Sequence, residues 1–163
     1  MITKLQPTTH NPHSSLPGSD DITREEIENG IIVLTRPNFN SPSVVISGYL
    51  ALGGLFDPDE KLGLSDFTAA ALMRGTAKRD FQGIYDALES AGASLGFSGA
   101  THTTSFSGKA LSEDLPLLME LLAEALLEPV FPGQQVVRLK AQLLTGLAMR
   151  AQNTRDMASL TFD

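Results

Sequence analysis

The side chains able to do polar chemistry are few and scattered along the chain. His10 and His13 stand three residues apart in a stretch rich in Pro, Ser, Thr and Asn, a composition that marks a flexible segment more often than a metal site. His102 lies among threonines and reads as a turn or strand-end residue. Asp57, Asp59 and Glu60 surround Pro58 just before a helical pattern, where carboxylates commonly cap the helix and keep the loop soluble. Asp66 is a lone carboxylate inside that pattern. There is no cysteine, no G-x-S-x-G elbow and no G-x-x-x-x-G-K loop, so nucleophilic and phosphate-cradling chemistry have no support. Gly92, Gly96 and Gly99 fall on a strand pattern, where close packing or a bulge accounts for them.

These residues must be held by elements that the hydrophobic pattern predicts. The prolines at 7, 12 and 17 keep residues 1–25 from forming a helix, and this segment reads as a tail preceding a domain over 26–163. Glu28-Asn29-Gly30 signals a turn before a strand over Ile31–Leu34, and a second strand follows over Val44–Leu52, placed to form a hairpin with the first. Leu64, Phe67, Ala71 and Leu72 then give a short helix a buried stripe. Asp80 caps a second helix carrying Phe81, Ile84, Tyr85 and Leu88, which ends at Gly92. Residues 93–110 alternate as two half-exposed strands turning near Thr101 and His102. Ser112 is placed to cap a third helix bearing Leu115, Leu118, Met119, Leu122 and Leu126. A fourth runs over 133–152 with Val136, Leu139, Leu143 and Leu147 on one face. The order is α+β, an antiparallel sheet packed with helices.

Composition narrows the partners. With 163 residues, 42% of them hydrophobic and 19% charged, the chain is long enough for one core. Twelve basic against nineteen acidic residues give a net charge of −7, which disfavours nucleic acid and anionic membranes. No apolar run is long enough to span a bilayer and no secretory signal pattern opens the chain, so the sequence predicts a cytoplasmic protein.

The framing residues carry more information than the reactive ones. Glu28-Asn29-Gly30, Gly53 to Glu60, the run Gly63-Leu64-Ser65-Asp66-Phe67-Thr68-Ala69-Ala70-Ala71-Leu72-Met73-Arg74-Gly75-Thr76, and Glu128-Pro129-Val130-Phe131-Pro132 before a long helix resemble, in that order, the N-terminal domain of the pitrilysin/insulinase zinc metallopeptidases. In active members the Gly-Leu…Gly-Thr frame encloses H-x-x-E-H, whose i, i+3 and i+4 positions share a helix face; both histidines bind zinc and the glutamate activates water. The resemblance puts Asp66, Ala69 and Ala70 at those three positions. It puts Gly146 at the place of the third ligand, a glutamate.

The resemblance therefore implies a chain without zinc, since no ligand set remains, and a non-catalytic subunit of a heterodimeric peptidase. Its partners would be a catalytic subunit of the same family and, through the heterodimer, a peptide substrate. The alternative is a structural or assembly subunit with no role in proteolysis. The resemblance also implies that peptide is held by main-chain pairing at Ser94, Leu95, Gly96, Phe97 and Ser98, and that the family domain is represented only in part. Surfaces left open by such a part predict self-association.

Overall fold

The computed structural model describes residues 18–154 together with 157 and 158. The chain divides into two units, Met1–Ser41 and Pro42–Asp163. The called tail falls mostly at residues 1–17, outside the described residues, as do His10 and His13.

In the first unit β1 (Thr23–Glu26) pairs antiparallel with β2 (Ile32–Thr35), from Thr23↔Thr35 to Glu26↔Ile32. The turn is the one legible in the sequence. Gly30 N–H donates to the Ile27 carbonyl at 2.8 Å, and Asn29 Oδ1 accepts from Ile31 N–H at 3.3 Å. The hairpin predicted between the strands around Ile31–Leu34 and Val44–Leu52 does not form. The Asn-Gly turn lies immediately before β2, so the chain on its N-terminal side is the neighbour that closes the shorter loop.

The second unit is built on a three-stranded antiparallel sheet in the order β3-β5-β4, with β3 at Ser43–Leu50, β4 at Ser94–Gly99 and β5 at Thr104–Leu111. The long β5 takes eight pairs from β3, Ser43↔Leu111 to Leu50↔Thr104, and six from β4, Ser94↔Lys109 to Gly99↔Thr104. Period-2 alternation sends Leu95, Thr104, Gly108 and Ala110 inward, while Val45, Ser47, Tyr49, Ser94, Ser98, Ser105 and Ser107 stay exposed on the other face.

Helices cover the inner face. They are α1 (Leu64–Ala71, continued by a 3-10 turn over Leu72–Arg74), α2 (Phe81–Ser90), α3 (Leu115–Leu127) and α4 (Gly133–Gln152). Ile84 and Leu88 of α2 and Leu118, Leu121, Leu122 and Ala125 of α3 meet Leu72, Met73, Leu95 and Ala110 in one core. Asp80 caps α2 as its position predicts, accepting from Gly83 N–H at 2.8 Å. Ser112 does not cap α3. Its hydroxyl donates to the Pro42 carbonyl at 2.8 Å instead, tying the end of β5 to the start of β3.

Two predicted faces also shift. On α1 the stripe is buried at Ala71 and Leu72 as expected, but Ala69 is buried and Leu64 is exposed, since α1 packs its small residues inward where its backbone approaches β4 at Gly99. On α4 Leu139 is buried, whereas Leu147 is 51% exposed. No helix among the described residues is long and apolar enough to cross a membrane.

Candidate functional site

The N-terminus of α1 is built by its neighbours. Gly63 precedes it with φ +90 and offers no side chain, so Asp57 supplies the cap from six residues upstream. Its Oδ2 accepts from Gly63 N–H and its Oδ1 from Ser65 N–H, both at 2.9 Å. The segment holding Asp57 is tied in turn to the β4–β5 loop, as Gly54 N–H donates to the Ala100 carbonyl at 2.9 Å and Leu55 N–H to the Thr101 carbonyl at 2.8 Å. The capping role read for this acidic loop holds for Asp57. Together these segments enclose an open cleft of about 460 Å³ lined by Gly54, Leu55, Asp57, Ser65, Asp66 and Thr101, among others.

Asp66 faces this cleft at its floor. The backbones of α1 and β4 touch here: a methyl group added to Gly99 would stand 2.6 Å from the Asp66 Cα, so Gly99 is required for the approach. Ala69, one turn on, is 2% exposed, and Ala70 is half-buried. The structure packs α4 against α1, so the helix bearing Asp66, Ala69 and Ala70 adjoins the helix bearing Gly146. A methyl group at Gly146 would meet no atom within 4 Å. The donor set does not fit zinc: two alanines and a glycine offer no ligand, and one exposed carboxylate does not make a tetrahedral site. Among the described residues no three His, Asp or Glu side chains gather as a metal-binding group.

The far end of the same segment is locked. Gly75 has φ +153 and lies so close to Pro132 that an added methyl group would stand 2.9 Å from that ring, which leaves glycine as the residue able to occupy the position. Thr76 is 5% exposed, and its hydroxyl lies 3.1 Å from Glu124 Oε2. Glu124, 3% exposed on α3, also accepts from the Arg79 guanidinium and lies 3.6 Å from Lys78 Nζ, while Arg79 reaches Glu120 at 3.2 Å. Burial pushes the Glu124 carboxyl upward, but the hydrogen bonds from Arg79 and Thr76 and the charges of Arg79 and Lys78 together hold it below the usual carboxylate range. The hydrogen bond to Glu124 raises the Arg79 guanidinium against the opposing effect of its own desolvation. Sequence reading missed this network. Its one sequence signal is a Glu on the apolar side of α3, between Leu121 and Ala125.

The five residues called for peptide pairing do share one strand, β4, at an edge of the sheet. Ser94 and Ser98 are exposed and Leu95 is buried, with Phe97 packed against the core. His102 is exposed in the β4–β5 loop.

The sequence profile of insulinase (peptidase family M16) matches residues 32–160. The chain belongs to this family. The match includes the stretch just described, from the start of α1 to the Thr76–Glu124 lock. The chain is 24% identical over 136 residues to a probable mitochondrial-processing peptidase subunit beta of Arabidopsis thaliana, covering 83% of this chain and 25% of that protein. It is also 24% identical over 137 residues to cytochrome b-c1 complex subunit 1 of Rattus norvegicus, covering 84% and 28%. It thus spans about a quarter of the length of these curated relatives. Among solved structures it superposes on the peptidase M16 inactive domain from Pseudomonas fluorescens with a TM-score of 0.78 and 26% identity, over 86% of this chain and 34% of that one. A protease from Helicobacter pylori matches at a TM-score of 0.70 with 14% identity, over 79% and 31%, and shares the fold.

Proposed function

We propose that this chain is the non-catalytic partner in an M16 assembly, pairing with an active family chain and helping to enclose a chamber for peptide. What supports this reading is α1 itself: the framing residues Gly63, Leu64, Gly75 and Thr76 are present, and the resemblance puts Asp66, Ala69 and Ala70 at the three positions where metal ligands and base would stand. The likeness to a domain described as inactive supports it. In this reading β4 receives peptide by main-chain pairing along Ser94–Ser98, with the small residues Ser94, Gly96 and Ser98 on its outer face leaving room for many sequences.

The test adds the chain to an active family subunit and measures cleavage of an unstructured peptide. Enhanced turnover supports the reading. Zinc-dependent cleavage by the chain alone, abolished by a chelator, would overturn it. A second reading, a purely structural subunit, is supported by the similarity to cytochrome b-c1 complex subunit 1. Stable assembly with no effect on turnover favours that one.

A further inference from the structure

The β1–β2 turn carries a chemistry that the proposed subunit role does not use. We infer that Asn29–Gly30 is a self-modifying site, at which the chain loses ammonia and acquires an isoaspartyl link, and that the hydrogen bonds of the turn gate the reaction. The chain holds five asparagines, and Asn29 is the one followed by glycine. The other four precede Pro12, Phe39, Ser41 and Thr154. Glycine has no Cβ, so its backbone nitrogen can approach the Asn29 Cγ without the obstruction that a side chain would add.

Once the Gly30 amide has lost its proton, its nitrogen attacks the Asn29 Cγ. The new N–C bond closes a five-membered imide, and the side-chain nitrogen leaves as ammonia. Water then opens the ring at either carbonyl, giving aspartate at one and isoaspartate, with the main chain running through Cγ, at the other. Water enters and ammonia leaves, and nothing is oxidised or reduced. The folded turn holds both reacting groups. Gly30 N–H donates to the Ile27 carbonyl at 2.8 Å, Asn29 Oδ1 accepts from Ile31 N–H at 3.3 Å, and Ile27 N–H closes the loop on the Ile31 carbonyl at 3.0 Å. Asn29 therefore reacts when this loop opens, a local event that leaves the packed core intact. The change does not reverse on closing. Isoaspartate adds a main-chain carbon between residues 29 and 30, which shifts Gly30 N–H from its place against Ile27, and either product adds a negative charge next to Glu28.

The test incubates the full chain at mildly alkaline pH, with and without guanidinium chloride. The peptide carrying Asn29 is followed by mass, and isoaspartate is detected with an isoaspartyl methyltransferase. Asn29 is expected to convert before Asn38 and Asn40, and roughly tenfold more slowly in the folded chain than in the unfolded one, the effect of one or two ordinary hydrogen bonds. Val33→Pro, which interrupts β2 opposite Glu25 and leaves the dipeptide untouched, should bring the folded rate close to the unfolded one. Gly30→Ala should slow the reaction in the unfolded chain, where no turn remains to protect it. Equal rates with and without denaturant overturn the gate, as does a folded rate that Val33→Pro leaves unchanged. An Asn29 that never converts in the folded chain, or that converts there after Asn38 or Asn40, overturns the site.

Discussion

The two ends of the segment Gly63–Thr76 are held in opposite ways. At the Thr76 end a buried carboxylate, a threonine hydroxyl and two cations form a network across the turn and α3, and Gly75 fits against Pro132 with no room for a side chain. At the Asp66 end the Asp57 carboxylate from the preceding loop caps the backbone of Gly63 and Ser65, and the backbones of α1 and β4 meet at Gly99 with no side chain between them. The frame therefore consists of residues that the fold needs. The positions between, Asp66, Ala69 and Ala70, are those where the proposed reading sets the metal chemistry of active relatives, and here they carry one exposed carboxylate and two methyl groups. A scaffold retains the first set under any function and the second only under catalysis.

The largest test of this contrast is at Arg79. Arg79→Met leaves Glu124 buried with only the exposed Lys78 as a cation, and breaking a buried pair from one side costs about 3 kcal/mol. Chemical denaturation at neutral pH should show that loss. The same pair of proteins should behave differently in acid. In the parent chain the Glu124 carboxyl is held below its unfolded value, so its contribution is present above the ordinary carboxylate range and is lost as pH falls through the folded value. In Arg79→Met burial dominates and the folded value rises, which reverses the sign: the penalty sets in as pH rises through that value and is absent below about 4. The stability gap between the two should narrow in acid. A constant gap from pH 7 to 3 would remove Glu124 from the account.

Ala69→Glu is next. It introduces the type of residue that activates water in active relatives, but the position is 2% exposed, so the carboxyl would be buried without a partner at a cost of roughly 2–3 kcal/mol. Urea unfolding measures it. A neutral result would mean that the site still has room for the chemistry it lost. Asp57→Ala removes two backbone caps from α1 and should cost about 1–2 kcal/mol, with the loss reported by reduced amide protection at Gly63 and Ser65.

These residues also mark how far sequence could lead. The four helices, the β4–β5 pair and the Asp80 cap were legible because each rests on local periodicity or on one side chain bonding three residues away. Pairing partners were not. Which strand β2 or β3 chooses depends on loop closure and on the reach of β5, quantities spread over seventy residues of chain in the case of the Ser112–Pro42 bond. The family was legible through the order of its framing residues, whereas the Thr76–Arg79–Glu124 network joins residues up to 48 positions apart and has no local signature. The burial of Ala69 was hidden for a related reason. Small residues give weak hydrophobic signals, and a close helix–strand approach selects them.

The smallest effect is predicted where a metallopeptidase would show its largest. Asp66→Asn changes an exposed side chain at the floor of the cleft and keeps its shape, and surface changes away from caps and cores stay within about 0.5 kcal/mol. Thermal unfolding should be unaltered. Binding assays with zinc should be equally indifferent, because one carboxylate beside two alanines contributes no ligand set to lose. If Asp66→Asn instead lowered the affinity of the chain for a peptide captured at β4, the cleft would have a recognition role that the erased metal motif does not explain. The contrast between the two ends of the segment would then lie in which function was kept, not in whether any was.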